Sequence, residues 1–176
     1  MDNSQLQLYL DGPKDKFFTF FTFSNLYAFE IKFEKIVDGL NNPWSLSFVN
    51  EEKIIFTEKS GKLYTFNLKN KKLSEIDHNL NVLDYGQGGL LDVLYADKYV
   101  YISYSENRGN WASSTSVAKG KLNQNIIEFK NIFRAEPPIE SMYHFGSRLV
   151  IKDKYLFITC LLYTSQSPRD GLLYRM

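Results

Sequence analysis

Two short stretches carry side chains with chemistry beyond packing. In SMYHFGSRLVI, residues 141–151, a histidine and a glycine stand just before an apolar run. A neutral imidazole, with an unperturbed pKa of about 6.5, accepts a proton near neutral pH, so His144 carries the group a general base needs. A lone histidine at a loop-to-strand junction is also an ordinary structural residue, and residue type alone does not choose between the two. In YGQGGLLDV, residues 85–93, Gln87 is flanked by Gly86, Gly88 and Gly89. Glycines permit positive φ and close backbone approach, so this loop can turn sharply and present an amide to a ligand. A solvated turn is the other reading. No nucleophile–base pair or transition-metal ligand spacing accompanies these residues, and GQGG lacks the spacing and following helix of a dinucleotide fingerprint.

Side chains of this kind need a scaffold, and the chain repeats itself. LSFVNEEKIIFTE (46–58), DVLYADKYVYISYS (92–105) and RLVIKDKYLFIT (148–159) each read as an apolar strand, a tight polar turn and a second apolar strand. The turn lysines Lys53, Lys98 and Lys154 recur at intervals of 45 and 56 residues. Such a period belongs to the four-stranded blades of a β-propeller. GKLYTFN and KKLSEI complete a first unit, TSVAKGKL and IIEFKNIF a second, and the third stops after two strands. No segment sustains a 3.6-residue apolar period, so the class is all-β, with about two and a half blades. Within it, Trp44 is expected to fill an inter-blade core and Asp92 to make inter-blade hydrogen bonds. Arg148 is expected to hold loop carbonyls or acidic neighbours, Arg134 to lie on a rim and His78 in a surface turn.

The 176 residues, 44% hydrophobic and 16% aromatic, suffice for a single core. With 21 basic against 20 acidic residues and no basic stripe interleaved with aromatics, nucleic acid is not an expected partner. KDKFFTFFTFSNLYAFE, residues 14–30, has a basic start, an apolar stretch too short to cross a bilayer and a small residue, Ala28. It reads as a secretory signal peptide cleaved after Ala28, with an aromatic edge strand as the alternative. Residues 1–28 are therefore an upstream extension plus signal peptide, and residues 29–159 a partial propeller domain. From Cys160 onward, CLLYTSQSPRDGLLYRM is similar to the conceptual translation of a sequencing-library adapter, departing from it at Gln166 and Tyr174. Residues 160–176 are set outside the fold on that ground, against the alternative of a genuine C-terminus. The mature protein is expected to be exported, periplasmic or secreted in a bacterium, with no stable membrane insertion after signal cleavage.

GLNNPWSLSF, TEKSGKLY, YGQGGLLDV, VYISYS, SVAKGKL, IFRAEPP and HFGSRLV follow one another between Gly39 and Val150. Their order resembles that in the soluble pyrroloquinoline-quinone (PQQ) glucose and aldose-sugar dehydrogenases, the glucose/sorbosone dehydrogenase family. That resemblance implies a six-bladed propeller, PQQ and calcium in a central pocket, and oxidation of a small-molecule sugar at its anomeric carbon to a lactone. It implies that His144, in H-x-x-x-R-L, is the general base taking the C1-hydroxyl proton as hydride leaves for PQQ, and that Gln87 fixes substrate hydroxyls. The family's PQQ and calcium ligands lie in later blades, so this chain is expected to hold no cofactor-binding or metal residues and to be inactive alone. Tyr143 stands where glucose-preferring members carry an acidic residue, which puts glucose itself in question. The electron acceptor is left open. The alternative function is a non-catalytic propeller that binds carbohydrate or protein.

Overall fold

The computed structural model describes residues 32–143 and 145–160, with the backbone of Leu173–Arg175. The signal-peptide segment through Ala28 and His144 lie outside the described residues, as does most of the segment from 160 to 176. Residues from Ile36 onward form one compact unit. Every regular element among the described residues is a strand: β1 (Pro43–Asn50), β2 (Lys53–Glu58), β3 (Leu63–Asn67), β4 (Leu73–His78), β5 (Leu90–Ala96), β6 (Tyr99–Asn107), β7 (Ser113–Gly120), β8 (Ile126–Ile127), β9 (Lys130–Arg134), β10 (Leu149–Lys152), β11 (Tyr155–Ile158) and β12 (Leu173–Arg175). They form three sheets in the orders β1-β2-β3-β4-β8, β5-β6-β7-β9 and β10-β11-β12. The backbone of β12 pairs with β11, so the third sheet has three strands where the sequence pattern shows two.

Each sheet begins with a hairpin closed by a two-residue turn, with Asn50 opposite Lys53, Ala96 opposite Tyr99 and Lys152 opposite Tyr155. Asp97 and Lys98 have φ of 50° and 68°. Positive φ at both central residues matches the turn twist to that of the strands. Equivalent positions therefore lie 46 and 56 residues apart, and Lys53 is a strand residue whereas Lys98 and Lys154 are turn residues.

Alternation along β1 sends Ser45 and Ser47 toward β5, where the Tyr95 amide donates to Ser47 Oγ at 3.0 Å and Ser45 Oγ donates to the Asp92 carboxylate. Trp44, Leu46 and Phe48 point the other way and are 44%, 57% and 62% exposed. Trp44 thus does not fill the core between the first two sheets; it lines a groove of about 490 Å³ with Leu40, Ile54, Phe56 and Arg148. That first inter-sheet core takes Ile55, Leu63 and Ile76 from one sheet and Leu90, Val93, Ile102 and Tyr104 from the next. A second core joins Tyr101 and Val117 to Leu149 and Leu156.

IIEFKNIF does not form one strand. Ile126–Ile127 leaves the second sheet to pair parallel with Asp77 and His78 of β4, and only Lys130–Arg134 becomes the fourth strand of the second sheet. The reason is burial: Ile127 and Phe129 drop into the first core, at 0% and 5% exposed. The Asn79 side chain clamps the crossover, accepting from the Phe129 amide at 2.8 Å and donating to its carbonyl at 3.1 Å. His78 is correspondingly not a surface turn residue. It ends β4, half-buried; Nδ1 accepts from the Leu80 amide at 3.3 Å, which leaves Nε2–H to donate to the Gly61 carbonyl at 2.7 Å.

Candidate active site

Ser105, near the end of β6, organises the loop that carries Gln87. Fully buried, it accepts from the Leu83 amide through its carbonyl at 2.9 Å and donates its own amide to the Gly89 carbonyl at 2.9 Å. Its hydroxyl donates to the Leu83 carbonyl and accepts from the Gly89 amide, both at 2.6 Å. Both ends of the 83–89 loop are thus tied to one side chain, and Gly88 N–H to Tyr85 carbonyl closes the turn between them at 2.9 Å. Gly86, at φ 58°, has the Met142 carbonyl where a Cβ would stand, so neither the conformation nor the space admits a larger residue. The Lys59–Asp84 ion pair, at 2.8 Å, braces the loop from outside.

Gln87 lies exposed on this loop, and its backbone N–H donates to the Met142 carbonyl at 2.7 Å. A Cβ at Gly88 would come within 3.1 Å of the Phe145 ring. The Gln87 loop is thus seated against Met142 and Phe145, the described residues that bracket His144 at two and one positions in sequence. Tyr143 is 54% exposed beside them. Beyond Phe145, Thr159 Oγ1 accepts from the amides of Ser147 at 3.2 Å and Arg148 at 3.0 Å, fixing the entry to β10.

Asp92 lies beneath these loops at the junction of the three sheets. Only 5% exposed, its carboxylate accepts from Ser45 Oγ of β1, from the Leu149 amide at 2.7 Å and from Arg148 Nη1 at 3.3 Å. It is the inter-blade hydrogen-bonding residue the sequence suggested, and Arg148 pairs with it. An ionised carboxylate with three donors is satisfied in place, so its role is structural.

A second buried carboxylate has no obvious sequence counterpart. Glu106, 8% exposed, receives a two-pronged contact from Arg134, with Nε and Nη2 each at 2.8 Å, as well as Ser116 Oγ at 2.7 Å and Asn131 Nδ2 at 3.0 Å. Burial alone would raise its carboxyl pKa, but the hydrogen bonds from Arg134 and Ser116 and the charges of Arg134 and Arg108 prevail and hold it below the usual value. Tyr104 donates to Asn131 at 2.8 Å, and burial pushes its phenol up to about 12. Arg134 is therefore an exposed residue of the sheet edge that also braces the second sheet. The signal was present in YVYISYSEN, where a carboxylate follows a strand buried on both faces and requires a cation.

The family described as Glucose / Sorbosone dehydrogenase matches residues 40–162. The chain belongs to that family. The aldose sugar dehydrogenase YliI of Escherichia coli (strain K12) is 31% identical over 138 residues, which cover 73% of this chain and 37% of that protein. A glucose dehydrogenase crystal structure superposes with a TM-score of 0.69 at 35% identity, over 75% of this chain and 41% of that one. The PQQ-bound form of aldose sugar dehydrogenase from Streptomyces coelicolor superposes with a TM-score of 0.66 at 20% identity, over 81% and 46% of the two chains, a likeness of fold. The chain thus spans less than half the length of these relatives. Its three sheets are consecutive blades of the family's propeller, and the Gln87 loop and the segment from Met142 to Phe145 precede the first strands of its second and third blades.

Proposed function

We propose that the protein of which this chain forms part catalyses a PQQ-dependent oxidation of aldose sugars at the anomeric carbon to lactones. His144 accepts the C1-hydroxyl proton as general base, and Gln87 orients the sugar hydroxyls. The observation that carries this reading is the hydrogen bond from the Gln87 backbone N–H to the Met142 carbonyl, at 2.7 Å, which seats one candidate loop against the segment holding the other, in a chain of this family. The named activity of the Escherichia coli relative supports an aldose as substrate.

Asp92 and Glu106 offer calcium no open carboxylate. Among the described residues no group of three or more His, Cys, Asp or Glu side chains is placed to hold a metal ion. Asp92 and Glu106, two of the three buried carboxylates among the described residues, are already satisfied by several protein donors, and the third, Glu58, accepts from the Asn41 backbone N–H at 2.6 Å. In this reading the chain supplies the sugar side of the pocket, later blades supply the cofactor side, and the chain alone is inactive. Tyr143 in place of an acidic residue favours an aldose other than glucose. Residues 1–28 act in export to the periplasm or the medium, and residues 160–176 are an adapter-derived tail that adds β12 to the edge of the third sheet without taking part in the function. The test is sugar-dependent dye reduction by the full-length protein supplied with PQQ and calcium. Turnover that His144→Ala abolishes supports the reading; sugar binding without turnover identifies a carbohydrate-binding propeller instead.

A further inference from the structure

We propose that the end of the second and third sheets remote from the Gln87 loop is a docking face for an anionic phospholipid bilayer, which turns the Gln87 loop toward solution. Strand direction defines this end. Ser45 and Ser47 of β1 reach Asp92 and Tyr95 of β5 in the same order, and Ala96 and Tyr99, which flank the β5–β6 turn, share the second core with Ile151 of β10. The three hairpin turns therefore emerge together, while the Gln87 loop and Met142 precede β5 and β10 at the other end.

Lysines collect at the turn end. Lys98 and Lys154 each take the second place of their two-residue turns, so the repeat that builds the blades also sets lysines side by side. Lys152 is exposed beside Lys154. β7 runs down to Gly120 opposite Val100, which brings Lys119 and Lys121 to the same end, and Lys130 of β9 stands opposite Lys119. Asp97, Glu128 and Asp153 are the acidic residues of these segments, yet none of these lysines has an ion-pair partner among the described residues. The turn of the first sheet carries Glu51 and Glu52 instead, which confines the face to the second and third sheets. Arg108, Arg134 and Arg148 lie at the Gln87 end and are paired with Glu136, Glu106 and Asp92 at 2.8, 2.8 and 3.3 Å.

The ammonium groups are gathered on rings. Lys119 Nζ lies 4.0 Å and Lys121 Nζ 5.1 Å from the centroid of the same Tyr99 ring, and Lys154 Nζ lies 5.9 Å from that of Tyr155. An aromatic face attracts a cation without cancelling its charge, so this end keeps a positive potential. Two like charges drawn to one ring repel, and an anion set against them relieves the repulsion. Protein interfaces centre on aromatic or arginine anchors, and the exposed aromatics Tyr85, Trp111 and Tyr143 lie at the other end. Long lysine stems over tyrosine rings suit a layer of anionic headgroups, where each cation adds to the attraction.

Sedimentation of the full-length protein with lipid vesicles tests the face. Vesicles of phosphatidylcholine with about 30% phosphatidylglycerol should carry the protein down, pure phosphatidylcholine should not, and raising salt from about 0.05 M to about 0.5 M should release it. Lys98→Gln and Lys154→Gln should each weaken binding about fivefold and together about 25-fold. Lys62→Gln, in the β2–β3 turn at the Gln87 end, should leave binding unchanged, and an unaltered Tm in all three variants shows that the fold is intact. Equal binding to both kinds of vesicle overturns the docking face, as does binding to the charged vesicles that the double variant leaves whole. Absence of vesicle binding at low salt also overturns it; retention on immobilised polyglutamate, lost in the double variant, would then mark an acidic protein as the partner.

Discussion

Thr57 and Ser103 each lie four residues beyond the position that closes their hairpin, and each hydroxyl reaches across to the next sheet. Thr57 Oγ1 donates to the Leu91 carbonyl at 2.6 Å and Ser103 Oγ to the Ser147 carbonyl at 2.7 Å. The two inter-sheet interfaces therefore share one polar stitch, but their fillings differ. The first is apolar from both sides and is completed by Ile127 and Phe129 from the crossover. The second has its apolar core around Val117, Leu149 and Leu156, while Ser113 and Thr115, on the same face of β7 as Val117, are buried with hydroxyls that have no partner among the described residues. Thr115 pairs with Ser105, the residue that holds the Gln87 loop. The less satisfied end of the second interface thus adjoins the candidate site, as expected if packing is relaxed where loops gather for function.

Core truncation is the strongest way to break this comparison. Ile55→Ala should cost about 3–4 kcal/mol and Leu156→Ala about 2–3 kcal/mol, read from denaturant midpoints; a larger loss at Leu156 would reverse the ranking of the interfaces. Next comes Asp92→Ala, which strips the Leu149 amide and Ser45 hydroxyl of their acceptor and should cost about 2–3 kcal/mol. A loss below about 0.5 kcal/mol there would remove the three-sheet junction from the account.

Glu106→Gln probes the strut within the second sheet through pH. The folded carboxyl titrates below its ordinary value of 4.5, so its stabilisation is present above that value and lost as pH falls through the lower folded one. The gap in Tm between the parent and Glu106→Gln should be widest at neutral pH and close in acid. A gap independent of pH would show that Arg134 contributes shape and not charge. The smallest effect is expected at Thr115→Val, which replaces an unpartnered hydroxyl and should be neutral or stabilising by up to about 1 kcal/mol; a clear loss of stability would mean that this hydroxyl is satisfied.

The hairpins were legible because their turns carry Asn or Asp between apolar runs, a local signal with a local cause. The break inside IIEFKNIF was not, since no Gly or Pro marks it and the first core's demand for Ile127 and Phe129 decides it. Trp44 lies on the face of β1 turned away from β5: alternation shows which residues share a face of a strand but not which face its neighbour covers. The structural roles of Asp92 and Arg148 are legible in the sequence, whereas nothing local marks Ser105 as the residue that ties the Gln87 loop. Contact between the Gln87 loop and Met142 joins residues far apart in the chain, which no periodicity reveals.

Dye reduction by His144→Ala, in the full-length protein supplied with PQQ and calcium, tests the central claim most directly. The account predicts a fall in sugar-dependent turnover of about 10²–10⁴-fold, with quinone binding retained. Undiminished turnover would contradict it and leave His144 as a residue of the loop and not of the chemistry.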